Sequence, residues 1–229
     1  GKTGLEEIYD EHLSGRHGQR VYEMNAKGQF LQPLSLTKPE RGADLYTNLD
    51  IDAQKSAAKF LGNRKGAVVA IDLDSGGINV LYSSPGYSIN KLSNGMSENE
   101  FQALINNTDK PFFNRALQGR YPPASTIKPA IGMYGLSNNI VNWDFEMKDP
   151  GFFTLPETGR IFRGWRKGGH GKVNMHKAFL VSSNTYFFSL AYQADIAELS
   201  NHLSSLGFGQ KVCFDCFDED KAFVPTPEW

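Results

Sequence analysis

Apolar residues recur at helical spacing in two early segments of the chain. Residues 1–20 and 50–61 each place apolar side chains on one helix face, and we expect these helices to end at Gly15 and Gly62, because glycine commonly follows the last turn. The two faces comprise Leu5, Ile8, Tyr9 and Leu13 in the first segment and Ala53, Ala57, Phe60 and Leu61 in the second. Both segments are therefore predicted to be short amphipathic helices.

Other segments have the composition of β-strands. Val21–Met24 and Gln29–Leu36 flank an Asn-Ala-Lys-Gly sequence that is typical of a hairpin turn. Gly66–Asp72 is an apolar run, and Ile78–Ser84 alternates apolar and polar residues after a short turn. The second pair predicts an antiparallel hairpin with one well-buried strand.

Further helix signals follow this second hairpin. Ser97 and Glu100 have the spacing of a capping box ahead of an apolar stretch. Helices are also predicted near Ser125, over residues 175–180 and over residues 195–206. Strand hairpins followed by several helices predict an α+β fold. Because a two-stranded sheet is marginal by itself, we expect the sheet to need strands from outside this chain.

Composition narrows the class of protein. The chain has 229 residues, 40% apolar and 21% charged, which is typical of a globular protein with one large domain or two small ones. The formal net charge of -1 gives no electrostatic reason to expect nucleic acid as a partner. No apolar run is long enough to span a bilayer, and no signal peptide is visible after Gly1.

The two cysteines, Cys213 and Cys216, are separated by Phe-Asp. This spacing matches a redox dithiol or half of a zinc site. However, no helix-start pattern follows Cys216, and no nearby His or Cys supplies a second pair of ligands. We therefore interpret the pair as two small residues in a strand or loop, without a prediction of whether they bond to each other.

Residues 121–129, Tyr-Pro-Pro-Ala-Ser-Thr-Ile-Lys-Pro, are the most informative segment. Proline is tolerated in the first turn of a helix, so Pro129 places the helix start close to Ser125. There the free N–H groups and the helix dipole favour the negative charge that a nucleophilic serine develops. Lys128 lies one turn further on the same face, and burial lowers the pKa of a lysine toward that of a useful base.

A second motif, Ser182-Ser-Asn184, follows the first in chain order. In enzymes with a Ser-x-x-Lys nucleophile, a Ser-x-Asn triplet closes the other side of the cleft. Ser182 can relay a proton to the leaving group, and Asn184 can orient the lysine and the substrate amide. The usual third motif, Lys-Thr/Ser-Gly, does not follow Asn184 in this sequence. A Lys-Thr-Gly at residues 2–4 precedes the nucleophile and leads into a helix, so we do not expect it to be catalytic.

These motifs resemble those of class B penicillin-binding proteins, most closely the elongation type (penicillin-binding protein 2). Further blocks that carry the resemblance are residues 66–72, 114–129, 149–151, 168–171, 183–188 and 225–229, while residues 1–6 resemble the end of the family's N-terminal pedestal module. The resemblance implies a penicillin-binding transpeptidase / serine β-lactamase-like fold, incomplete because the chain stops before Lys-Thr/Ser-Gly. Residues 1–48 are expected to be the end of the pedestal module and a linker, and residues 49–229 the N-terminal part of the transpeptidase domain.

The resemblance also implies a function. Ser125 would attack the D-Ala-D-Ala end of a peptidoglycan stem peptide, and β-lactams would acylate the same serine. The implied partners are a glycosyltransferase and scaffold proteins of the elongation machinery, and the implied location is the periplasmic face of the bacterial inner membrane, with a transmembrane anchor upstream. Because the third motif is missing, we expect these 229 residues alone to be poorly folded or inactive.

The chain departs from the family at a structural zinc site that some relatives form with two Asp, one His and one Cys. Asp149 and His170 match two of these positions, but the others are Gly164 and Ser183. Two protein ligands are too few for a closed site, so no zinc and no other cofactor is predicted.

Three alternative functions stay open. A class A β-lactamase needs a deacylating Glu, and neither Glu146 nor Glu157 lies in the Glu-x-x-Leu-Asn context of such enzymes. An inactive scaffold is compatible with the missing third motif. A β-lactam-sensing domain is less favoured, because the N-terminus resembles a pedestal module.

Overall fold

The computed structural model describes residues 3–228, and the chain divides into two compact units. One comprises Gly1–Gly119 and Cys213–Asp220, and the other comprises Arg120–Val212 and Lys221–Trp229. Helices and short antiparallel sheets occur in both, which confirms the α+β class. Within the described residues, no helix is long and apolar enough to cross a membrane.

The first unit begins with two short helices and a β-hairpin: α1 (Leu5–Ile8), α2 (Asp10–Ser14), β1 (Gln19–Met24) and β2 (Phe30–Thr37). The predicted single helix is interrupted at Tyr9, which caps α1 and precedes α2. The predicted hairpin turn is confirmed. The Asn25 side chain accepts hydrogen bonds from the backbone N–H groups of Lys27 and Gln29, both at 3.0 Å, and so fixes the turn. Lys2 of the Lys-Thr-Gly sequence lies outside the described residues, and Gly4 immediately precedes α1.

The second hairpin packs against a helix. Its elements are α3 (Ile51–Leu61), β3 (Gly66–Ile71) and β4 (Ile78–Ser84). Asp50 caps α3 by accepting from two backbone N–H groups, and Gly62 ends the helix as predicted. Phe60 does not belong to the packed face, since it is 71% exposed. The apolar run in β3 is also largely exposed, and the more buried strand is β4, because α3 packs mainly on that strand.

Two more helices, α4 (Ile89–Asn94) and α5 (Glu98–Ile105), follow in the first unit. The predicted capping box of α5 is confirmed: the Ser97 hydroxyl accepts from Glu100 N–H, and the Glu100 carboxylate accepts from Ser97 N–H. Helix α4 was not predicted, although Ser88 caps it.

A disulfide bond joins Cys213 and Cys216 in the loop that belongs to the first unit. The loop prediction is correct, and the structure adds the covalent bond. Asp215 lies between the two cysteines and accepts a hydrogen bond from the Tyr9 hydroxyl at 3.1 Å. The N–H of Asp220 donates to the carbonyl of Leu117 at 2.9 Å. Two hydrogen bonds therefore attach this loop to residues that lie much earlier in the chain.

The second unit contains a 3-10 turn (Ala124–Ile127), helices and very short strands. The other elements are α6 (Lys128–Ser137), β5 (Met147–Asp149), β6 (Phe152–Thr154), β7 (Ile161–Arg163), β8 (Gly171–Val173), α7 (Met175–Leu180), α8 (Asn184–Gln193) and α9 (Ile196–Ser205). Strand β5 pairs with β8, and β6 pairs with β7. The predictions of α7 and α9 are confirmed, whereas α8 and the four strands were missed.

The core of the second unit forms where α6, α7, α8 and α9 meet. Its most buried side chains are Tyr134, Val173, Met175, Tyr186 and Leu190. Gly132 and Gly135 lie on the buried face of α6. A Cβ atom at Gly132 would lie 2.7 Å from the Phe179 ring, and one at Gly135 would lie 2.6 Å from Leu190 Cδ1. The absence of side chains at these two positions lets α6 approach α7 and α8 closely; we call this contact the glycine seam.

We expect Gly135→Ala to destabilise the protein by about 1–3 kcal/mol, because Leu190 is buried and has no room to move away from the added methyl group. Thermal and urea unfolding measure the effect. Ser137→Ala is the matched control, since Ser137 is exposed at the end of the same helix. Equal stability of the two variants would contradict this account of the seam.

Candidate active site

Ser125 lies in the 3-10 turn directly before α6, with its side chain exposed. Pro129 is in the first turn of α6, as the sequence predicts. The structure differs from the prediction in one respect: the turn that contains Ser125 precedes α6 and is a 3-10 turn, not α-helix. The segment therefore presents Ser125 at the beginning of a helix that has one buried face.

The residue before Ser125 has an unusual backbone. Ala124 has a φ of 50°, in the left-handed region that glycine adopts easily and other residues rarely do. Such a conformation costs an alanine about 1–2 kcal/mol. The strain lies immediately beside Ser125.

Lys128 is the first residue of α6, and only 7% of its surface is exposed. Its Nζ lies 2.9 Å from the carbonyl oxygen of Ser182, 3.0 Å from Ser182 Oγ and 2.7 Å from Asn184 Oδ1. Burial lowers the pKa of Lys128 below its ordinary value of 10.5, since the charged form loses hydration. The amine is thus closer to its neutral, basic form than a surface lysine is.

Ser182 connects Lys128 to Ser125. Its Oγ lies 2.9 Å from Ser125 Oγ and 3.0 Å from Lys128 Nζ. In residues 3–228, no direct hydrogen bond joins Ser125 to Lys128; the two are linked through Ser182. The structure therefore brings together all four residues predicted for the site, with Ser182 in a more central position than expected. Each hydroxyl can both donate and accept, so the three groups form a possible path for a proton.

The turn that carries Ser182 lies between α7 and α8. Ser182 has a φ of 51°, which turns the chain, and Asn184 is the first residue of α8. The Ser182 N–H donates to the Phe179 carbonyl at 3.1 Å, and the Ser183 N–H donates to the Ala178 carbonyl at 2.9 Å. These bonds attach the turn to the end of α7.

Phe187 is a site residue that sequence reasoning missed. Lys128 Nζ lies 5.4 Å from the centre of its ring, within the range of a cation–π contact. Phe187 is 4% exposed and lies on α8, one turn after Asn184. The only sequence signal was an aromatic residue near the second motif, which does not distinguish a site residue from a core residue.

The neighbourhood of the family's zinc site is organised by hydrogen bonds. Asp149 Oδ2 lies 2.9 Å from His170 Nδ1 and accepts from Ser183 Oγ at 2.7 Å, while Asp149 Oδ1 accepts from Gly151 N–H at 2.8 Å. Gly164 has no side chain to offer. In the described chain, His170 Nε2 is buried without a hydrogen-bond partner, and one such nitrogen does not make a metal site. This donor set does not fit a closed zinc site, which takes four ligands.

One other group of possible ligands occurs in the described part of the chain. It comprises Cys213, Asp215 and Cys216. Both cysteine sulfurs are bonded to each other, so neither is available as a thiolate.

The two glutamates considered for a deacylating role have other contacts. Glu157 accepts a hydrogen bond from the Tyr192 hydroxyl at 2.5 Å, and Glu146 lies 3.7 Å from Lys172 Nζ. No hydrogen bond between either carboxylate and Ser125 occurs in residues 3–228. This geometry gives no support to the β-lactamase alternative.

A serine at a helix start, linked through a second serine to a buried lysine and an asparagine, defines a class of serine acyl-transfer sites. Comparison with known families places the chain within this class. The penicillin-binding protein transpeptidase domain matches residues 66–229, and the penicillin-binding protein dimerisation domain matches residues 1–47. The chain belongs to the penicillin-binding protein transpeptidase family. The boundary after residue 48 stays a prediction.

Individual relatives agree. The chain is 43% identical over 229 residues to the peptidoglycan D,D-transpeptidase MrdA of Acinetobacter baumannii, covering 100% of this chain and 34% of the relative. It matches PBP2 of Pseudomonas aeruginosa in complex with WCK 5153 with a TM-score of 0.87 at 34% identity, covering 100% of this chain and 47% of that one. It matches PBP2 of Helicobacter pylori in complex with MreC with a TM-score of 0.87 at 33% identity, covering 100% and 42%. The chain thus spans about a third of the length of its curated relatives.

We expect the purified protein to contain no stoichiometric zinc, because Gly164 and Ser183 leave too few ligands. Elemental analysis by mass spectrometry after dialysis tests this directly. A chelator should also leave the thermal unfolding temperature unchanged. One bound equivalent of zinc per chain would refute this expectation.

Proposed function

We propose that this chain supplies the nucleophile and the second motif of a peptidoglycan D,D-transpeptidase of the cell-elongation type. The observation that carries the proposal is the hydrogen-bonded path from Ser125 Oγ through Ser182 Oγ to Lys128 Nζ, with distances of 2.9 and 3.0 Å. The substrate would be the D-Ala-D-Ala end of a stem peptide. The relatives' names support this reaction. For the acylation step, the chain's own site contains a serine, a buried lysine and a hydroxyl that connects them.

Acylation would proceed as follows. Ser125 Oγ attacks the carbonyl carbon of the penultimate D-Ala, and its proton passes through Ser182 to the neutral amine of Lys128. The resulting tetrahedral intermediate breaks the C–N bond, and the proton returns through Ser182 to the amine of the departing D-Ala. The product is an ester between Ser125 and the stem peptide.

Deacylation would use the same proton path, with an amine as the nucleophile. The amine of a neighbouring stem peptide attacks the ester carbonyl, gives up a proton through the same groups, and forms the cross-linking amide as Ser125 Oγ regains its proton. A β-lactam enters at the first step: its ring amide bond breaks, and no leaving group departs, so the acyl-enzyme persists.

The proposed location is the periplasmic face of the bacterial inner membrane, with an anchor upstream of these residues. The disulfide between Cys213 and Cys216 supports an oxidising compartment, because disulfides are rare in the cytosol of most organisms. The proposed partners are a glycosyltransferase and scaffold proteins of the elongation machinery. The match to a Helicobacter pylori PBP2 that is in complex with MreC supports a scaffold partner.

Replacing Ser125 with alanine should abolish covalent labelling by a fluorescent penicillin, because the attacking oxygen is gone. The experiment uses the protein as its gene encodes it, and labelling is read by gel fluorescence and intact-mass spectrometry. Ser137→Ala, an exposed serine of the adjoining helix, should label like the unmodified protein.

Other labelling results would favour other functions. Unchanged labelling of Ser125→Ala would show that the nucleophile is misassigned. No labelling of the unmodified protein would favour the inactive scaffold. Rapid loss of the label would favour a β-lactamase.

Acylation should accelerate as the pH rises and level off when Lys128 is neutral. Burial lowers the pKa of Lys128, so the midpoint of this profile should lie below 10.5. The groups that face its Nζ are Ser182, Asn184 and the Phe187 ring, and none of the described carboxylates lies within ion-pair distance. Lys128→Ala should reduce labelling nearly as far as Ser125→Ala. A rate that does not change with pH in the unmodified protein would contradict the assignment of Lys128 as the base.

A further inference from the structure

Asp149, His170 and Ser183 form a buried hydrogen-bonded group, which we call the buried triad. Ser183 is 0% exposed and Asp149 2% exposed, and the side chain of His170 is 4% exposed. We propose that the buried triad holds Ser182 and Asn184 against Lys128 without a metal ion, and that Ser183 is a positioning residue for acylation of Ser125. This inference rests on the transpeptidase function proposed above.

The position of Ser183 in the chain is the first argument. Both side chains that hydrogen bond to Lys128 Nζ come from its immediate neighbours, Ser182 and Asn184. Ser182 also makes the contact with Ser125 Oγ. A displacement of Ser183 would therefore move both side chains that hydrogen bond to Lys128 Nζ.

The Ser183 hydroxyl ties this turn to two different elements. It donates to Asp149 Oδ2 at 2.7 Å, at the end of β5, and it accepts from the Tyr186 N–H at 3.2 Å, in the first turn of α8. A hydroxyl in both roles fixes the start of α8, which carries Asn184, relative to the β5–β8 sheet. Replacing Ser183 with alanine keeps the Cβ atom but removes both hydrogen bonds.

Asp149 is the centre of the triad. Burial favours its neutral form, but hydrogen bonds from His170, Ser183 and the Gly151 N–H outweigh that effect and hold the pKa of the carboxyl below its ordinary value. His170 Nδ1 lies 2.9 Å from Asp149 Oδ2, at hydrogen-bond distance. Hydrogen bonds to an ionised carboxylate are stronger than neutral ones, which suits a structural tie that lacks a metal.

His170 is also linked to the turn at Ser182, through Trp165. The Trp165 ring lies 5.3 Å from the His170 ring, and Trp165 Nε1–H donates to the Val181 carbonyl at 3.1 Å. Val181 immediately precedes Ser182. The turn is thus held on both sides of Ser182, by Trp165 at residue 181 and by Asp149 at residue 183.

The test measures the acylation rate constant for a fluorescent penicillin across a range of pH in three variants: Ser183→Ala, Asp149→Asn and Trp165→Phe. We expect Ser183→Ala and Asp149→Asn to lower the rate roughly 10- to 100-fold, since small misplacements of catalytic groups have effects of this size. We also expect the pH midpoint to shift, because Lys128 loses its alignment with Ser182 and Asn184. Trp165→Phe removes one hydrogen bond and should have a smaller effect in the same direction.

Ser200→Ala is the matched control, because Ser200 is a second buried serine of the same unit, 8% exposed, on α9. It should leave both rate and midpoint unchanged. A folded Ser183→Ala protein with the rate and midpoint of the unmodified protein would overturn the proposal. Should Ser183→Ala not fold, Asp149→Asn decides, since it changes the acceptor of the Ser183 hydroxyl and an unchanged rate and midpoint there have the same meaning. If the unmodified protein is not acylated at all, the proposed function itself fails, and the positioning proposal fails with it.

Discussion

The burial of the Lys128 amine is the constraint on which the rest of the site depends. Lys128 is 7% exposed, so its amine has lost most of its water and the protein must supply polar partners in fixed positions. Here those partners come from Ser182 and Asn184, with the Phe187 ring beneath. The lysine therefore forces the start of α6, the turn after α7 and the start of α8 to converge on one point.

The convergence is achieved with short elements and well-defined ends. Helix α7 ends at Leu180, a single left-handed residue turns the chain, and Ser183 caps α8 immediately afterwards. Ser125 lies in a 3-10 turn, directly after Ala124, whose backbone is strained. One left-handed residue, Ala124, thus immediately precedes Ser125, and the other is Ser182 itself; backbone strain of this kind is common in functional sites.

Local signals explain what could be predicted from the sequence. The bounds of α7 and the capping box of α5 follow from residues within a few positions of each other, and the pairing of Ser125 and Lys128 in one turn follows from helix geometry and Pro129. The strands of the second unit were missed because stretches such as Phe152–Thr154 are too short to show alternation. Helix α8 was missed although Ser183 is a good cap, since its first residues were considered only as a catalytic motif.

The rest depended on contacts between distant residues. Nothing in the sequence shows that Phe187 lies under Lys128, that Ser182 stands between Ser125 and Lys128, or that Cys213 and Cys216 are bonded. Phe60 was assigned to a packed face by its periodicity, but the packing of α3 leaves it exposed. Periodicity identifies which residues share a face, and only the surrounding elements decide whether that face is covered.

The glycine seam has a consequence for substitutions outside the site. With no Cβ atoms between α6 and its neighbours, the helix that begins at Lys128 rests directly on Phe179 and Leu190. A change of side-chain volume at either residue would press on α6, the helix that begins with Lys128. The position of the lysine therefore depends on two apolar side chains that cannot hydrogen bond to it.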